Sequence, residues 1–260
     1  MSTATDDMHA AEYTVLKDLF SDNISTHNAA ESLATIQLSN TTEPESNISS
    51  LWSFIIKCAY EFPEHQTKLV DMLVQLSKLP DAKLANGDPI LLHDMRLWKD
   101  LPMLGWQFRD EWNASIPDGP PDQRASAISQ MINRDNFTAL LMTTKEPVFN
   151  YSWFALITFR DALEEPADQE PGQLDGLIPA AATWIHILGA DIYRWNENFG
   201  RRGRGGSLWD GKDGFCVERW QLWRERFGAM AKREELDDGA RRAAVDAEQM
   251  MQRIESQSQS

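Results

Sequence analysis

The chain has 260 residues, 42% of them apolar, with ten tryptophans and a formal charge of −15. That apolar content excludes wholesale disorder and suffices for one large hydrophobic core or two smaller ones. The charge disfavours a nucleic-acid backbone or an anionic membrane surface, which need concentrated Lys and Arg, and favours a partner with a basic surface.

The opening MSTATDDMHAAE carries acids where a secretory leader needs a basic stretch followed by an apolar run, so a cytoplasmic or nuclear setting is expected. No apolar run approaches the length of a membrane span. Cys58 and Cys216 lack metal or CxxC spacing and read as buried thiols. Residues 1–45 read as a poorly ordered arm with two short amphipathic helices, around Leu16 and Leu19 and around Leu33 and Ile36. The Ser/Thr/Asn/Glu/Pro mixture over 39–47 reads as a linker.

A strong helix follows a cap at Ser49 or Ser50, with Leu51, Phe54, Ile55, Cys58 and Phe62 at steps of three and four. Pro63 opens a second, with Leu69, Met72, Leu73, Leu76 and Leu79 on one face, and Pro80 ends it. Asn86-Gly87-Asp88-Pro89 is a turn. Asp100 and Pro102 predict a helix start, its body carrying Leu104, Trp106, Phe108 and Trp112. Residues 124–131 are weakly helical, and Asn133 or Asp135 caps a further helix through Phe137, Leu140 and Leu141.

Two stretches are apolar nearly all round, Val148–Glu164 and Leu177–Trp195, as buried helices are. Ala182 and Gly189 on the second let a neighbouring backbone come close, so the two are expected to pair. Residues 196–214 form a loop, whose Arg201–Gly206 run reads as flexible and basic. Phe215, Val217, Trp220, Trp223 and Phe227 restore helical spacing, and 228–260 is expected to be a charged, exposed helix, broken near Gly239, with a flexible tail. The fold class is all-α, an irregular multi-helix bundle whose core domain spans 46–227.

Three helices repeat an aromatic, an arginine and an acid: Phe108-Arg109-Asp110, Phe159-Arg160-Asp161 and Trp223-Arg224-Glu225. The simplest account lays the arginine stem on apolar surface and pairs its head with an acid. The alternative is a ligand pocket where Arg109 and Arg160 converge, lined by Trp106, Trp153, Trp184, His186 and Tyr193.

The blocks LWSFIIKCAYEFPEHQTKLVDMLVQLSKLP, WKDLPMLGWQFRDEWN, WFALITFRDALE and IPAAATWIHILGADIY resemble, in that order, a family of uncharacterised fungal proteins, the domain of unknown function 3632. The resemblance spans about 50–227. It implies a fungal origin and a helical domain, and it transfers no catalytic residue.

The histidines are scattered without HExxH spacing, and no GxGxxG, GxxxxGK[ST] or GxSxG occurs. No metal or cofactor is expected. The sequence favours a protein-interaction or scaffold module, with a small-molecule-binding protein or enzyme having an aromatic-lined pocket as the alternative.

Overall fold

The computed structural model describes residues 9–39, 43–84, 86–166 and 171–258. They divide into two compact units, Met1–Asn113 with Thr144–Asn150 and Ala114–Thr143 with Tyr151–Ser260. The fold is all-α. Among the described residues the strands are two residues each, and no helix is long and apolar enough to cross a membrane.

In the first unit α1 is Ala10–Phe20, α2 Thr26–Ser39 and α3 Pro44–Glu61. A 3-10 turn at Pro63–His65 leads into α4, Gln66–Ser77. Helix α1 packs on α2, and α2 on α4. The small face Ala29, Ala30, Leu33 and Ala34 is fully buried or nearly so. Lys68 closes the end of α1, donating to the Phe20 carbonyl at 2.8 Å and pairing with Asp22 at 2.7 Å. A cation at a helix C-terminus satisfies carbonyls that the helix itself leaves open. Helix α3 starts at Pro44, ahead of the expected serine cap, because proline suits the first helical position.

The ambiguous stretch 81–96 holds a small antiparallel hairpin, β1 (Leu91–Leu92) and β2 (Met95–Arg96). Its two turn residues, His93 and Asp94, have φ of 53° and 62°, the sign a tight type I′ turn requires at both positions. Helix α5, Leu104–Glu111, begins two residues after Pro102. Asp100 accepts from the Arg96 backbone N–H at 2.7 Å and caps nothing in α5.

In the second unit α6 is Pro121–Thr143, α7 Ser152–Leu163, α8 Pro171–Ile192, α9 Val217–Met230 and α10 Asp238–Ser258. Helix α6 runs unbroken through Asn133 and Asp135, so neither is a cap. The expected helix Val148–Glu164 is shorter. A 3-10 turn at Pro147–Phe149 and extended backbone at Asn150 precede α7. Helices α7 and α8 do pack on each other, but α8 also lies against α6 and α10. Gly189 serves α10: a Cβ there would stand 2.7 Å from Ile254 Cδ1. Helix α10 is correspondingly not an exposed helix. Ala240, Ala244, Ala247, Met251 and Ile254, at steps of three and four, are buried. Asp237 accepts from the Ala240 N–H at 2.6 Å, so the expected break is this helix's N-cap.

Cys58 is buried on α3, and burial pushes its thiol up to about 12, with Glu61 adding to the effect and Lys57 opposing it. Cys216 is partly exposed, and its thiol is also raised by desolvation. Alkylation follows thiolate fraction and access, so at pH 8 the native chain should react at Cys58 at least ~100-fold more slowly than at Cys216. Peptide mapping after timed iodoacetamide treatment measures this; equal rates would contradict it.

Candidate functional site

Among the candidate residues, Trp106 lines a cavity. It sits on α5 with 49% of its surface exposed, an unusual state for so large an apolar side chain. The cavity, about 630 Å³, is lined also by Leu92, Met103, Gln107, Ser46, Ser49, Pro44, Glu43 and Glu45. Leu92 and Met103 are buried and form its floor, while Glu43 and Glu45 are exposed on its rim.

Local structure positions each part. The hairpin turn sets His93 against Trp106, ring centroids 4.7 Å apart, and His93 Nε2 stands 3.2 Å from Glu45 Oε1. Gln107, one residue after Trp106, donates to Ser49 Oγ at 2.8 Å and accepts from Ser53 Oγ at 2.7 Å, fastening α5 to α3. The connection between hairpin and helix is strained: Leu101 and Met103 take φ of 43° and 69°. Such residues persist where surrounding structure over-determines them, at roughly 1–3 kcal/mol each. Here the constraint is Trp52, fully buried, whose indole N–H donates to the Pro102 carbonyl at 2.7 Å. The strained turn places Met103 in the floor and starts α5 at the angle that leaves Trp106 outward.

The other candidate residues do not share this cavity. Arg109 is exposed on α5 in the first unit, whereas Arg160 belongs to the second unit and pairs with its neighbour Asp161 at 2.7 Å. Desolvation raises the Asp161 carboxyl above its ordinary range, with the Arg160 guanidinium opposing the shift. Trp184 is wholly buried, its indole N–H donating to Asp135 Oδ1 at 2.6 Å. Trp153 donates to the Arg202 carbonyl at 3.1 Å. His186 is exposed, and Tyr193 meets Trp220 edge-on at 5.2 Å.

Two polar centres in the second unit escaped the sequence reading. Glu164, the last residue of the expected apolar helix, is fully buried with Arg219. Its carboxylate accepts from Arg219 Nε at 2.6 Å and Nη2 at 2.8 Å, from the Trp223 indole at 2.7 Å and from the Gly206 N–H at 2.9 Å. Arg219 Nη1 donates to the carbonyls of Gly203 and Gly214, each at 2.9 Å. The Arg201–Gly206 run is therefore pinned from beneath, while the side chains of Arg201, Arg202 and Arg204 stay exposed. Asp135 is the second centre, accepting from Arg134, Thr158 and Trp184. A carboxylate whose oxygens are filled by fixed donors is built for cohesion; neither centre lines a cavity given above.

Among the described residues no group of three or more His, Cys, Asp or Glu could hold a metal ion. The family described as "Protein of unknown function (DUF3632)" matches residues 52–227, more than half of the chain. The chain belongs to this family. No curated protein matches it. The DUF3632 match includes Leu92, His93, Met103, Trp106 and Gln107, along with Glu164 and Arg219, while Glu43 and Glu45 precede it.

Proposed function

We propose that this DUF3632 protein is a protein-interaction module whose docking surface is the Trp106 groove. Its partner is a segment with an apolar anchor residue flanked by Lys or Arg. The carrying observation is a half-exposed tryptophan over a buried apolar floor, rimmed by Glu43 and Glu45. Tryptophan is the residue type most enriched where a few side chains carry the binding energy. Carboxylates on the rim favour basic partners by steering and exclude acidic ones, and the formal charge of −15 acts in the same direction. The two strained residues hold the groove preformed, which lowers the ordering cost of binding. A small-molecule pocket built on Arg109, Arg160 and the inner tryptophans has less support, because Arg160, Trp153 and Trp184 already have partners within the fold. A fungal origin and a cytoplasmic or nuclear setting are part of the same reading.

A display library of random ten-residue peptides, panned against the purified chain, tests it. Enriched sequences should carry an aromatic or leucine with neighbouring Lys or Arg. Trp106→Ala should weaken the selected peptides at least ~30-fold, as loss of a central anchor does. Glu43→Lys with Glu45→Lys should slow association and remove its salt dependence. Enrichment of acidic sequences, or equal binding to the Trp106→Ala chain, would overturn the proposal.

A further inference from the structure

The first unit holds a second cavity, about 540 Å³, lined in part by Ser46, Asn47 and Ser50 of α3. Its lining brings His9 and Glu12, at the start of α1, against Ser50 on α3, 41 residues from His9. Ser50 Oγ is 2.9 Å from His9 Nε2. His9 Nδ1 is 3.8 Å from Glu12 Oε1 and has no hydrogen-bond partner among the described residues. His9 is 6% exposed and its ring stacks on Phe54 at a centroid distance of 4.8 Å, so its plane is held. Glu12, also buried, accepts from Gln37 Nε2 at 2.8 Å, which fixes its carboxylate.

This is the order of parts that activates a hydroxyl: a nucleophile against a base, and the base against an orienting acid, facing a cavity. The Nδ1–Oε1 separation is longer than a hydrogen bond, as catalytic contacts often are before substrate tightens them. The geometry points to Ser50, His9 and Glu12 as a Ser–His–Glu hydrolytic site for small uncharged carboxylic esters. Ala10, Ala11 and Ile36 offer the acyl chain an apolar wall, and the Glu12 carboxylate disfavours anionic substrates.

Ser50 Oγ forms the bond to the ester carbonyl carbon while its proton passes to His9 Nε2. The tetrahedral intermediate expels the alcohol, which takes that proton from His9, leaving acyl-Ser50. Water then adds to the acyl carbon with His9 again accepting a proton. The carboxylic acid departs and the proton returns to Ser50 Oγ. Ser50 and His9 are the catalytic residues, and Glu12 is a positioning residue.

The full chain is treated with a fluorophosphonate and, separately, with p-nitrophenyl acetate, and adducts are located by peptide mass spectrometry. The expected result is modification of Ser50, and not of Ser46, Ser49 or Ser53 on the same helix. His9→Gln should slow it at least ~100-fold, the usual share of a positioned general base. Glu12→Gln should lower kcat for p-nitrophenyl acetate with KM unchanged, and Glu12→Asp should restore part of the loss; a purely structural glutamate would not give this split. No Ser50 adduct above that of the heat-denatured chain, or undiminished labelling in folded His9→Gln, overturns the inference. If His9→Gln loses its helical circular dichroism, the adduct map of the unsubstituted chain decides alone. These residues are not those of the Trp106 groove, so the two proposals fail separately.

Discussion

Arg219→Met should destabilise the second unit by about 3–5 kcal/mol, the usual cost of stranding one partner of a buried ion pair. Glu164 would keep the Trp223 and Gly206 donors but lose both guanidinium contacts, and it lies too deep for water to replace them. The double substitution Glu164→Leu with Arg219→Met separates two accounts of this centre. Were it only a charge pair, the apolar replacement would be near neutral. Here it strands the Trp223 and Gly206 N–H groups and the Gly203 and Gly214 carbonyls, each at about 1–3 kcal/mol. The double variant should therefore recover little. Urea titration of the three chains gives the free energies, and a double variant as stable as the original would show that the backbone contacts carry nothing. The loss should also be local. Amides of 199–215, including Phe199 and Phe215, which bond to Asp213 and Glu197, should exchange faster than those of α8 in Arg219→Met.

The helical spacing of apolar residues was legible wherever one face of a helix meets a core, as on α3, α4 and α9. What misled was composition taken without phase. Residues 238–258 look charged, yet small and apolar residues fall at 240, 244, 247, 251 and 254, a stripe of five in one register. Alanine buries little area, so its stripe is faint beside the arginines and acids around it. The same phase argument places Arg219 inside: Phe215, Arg219 and Trp223 stand four apart, and all three are buried. The aromatic–arginine–acid repeat had one physical root and several outcomes. Phe108, Phe159 and Trp223 are buried in each case, and Phe159 stacks on Trp223 at 4.4 Å. The arginines diverge, Arg160 to its neighbour Asp161 and Arg224 to Glu255, because tertiary neighbours choose the acid. Of the candidate site only Trp106 was legible. Its groove depends on a His-Asp turn without glycine and on two left-handed residues, Leu101 and Met103, whose types give no sign of that conformation.

Asp135→Ala should cost about as much as Arg219→Met, roughly 3–5 kcal/mol, for a different combination of reasons. Asp135 is wholly buried in the middle of α6, where alanine is the better helix former, so propensity alone predicts a gain of a few tenths. Against that, Thr158 and Trp184 each lose an acceptor at 2.6 Å, and the Arg134 guanidinium loses its 2.7 Å carboxylate partner while only 4% exposed. Stranding outweighs propensity by an order of magnitude. Asp135→Asn distinguishes charge from hydrogen bonding. Its one carbonyl oxygen can keep Thr158 and Trp184, but its amide then turns two N–H groups toward the Arg134 donors. Asparagine should thus recover at most about half of the alanine loss, since the Arg134 donors that Asp135 accepts from then face an amide that cannot accept from them. The readout is thermal and urea unfolding of the three chains, with the near-ultraviolet signal of Trp184 reporting on the site itself. An Asp135→Asn chain as stable as the original would mean that Arg134 takes no net stabilisation from the charge, and that Asp135 serves as an acceptor alone.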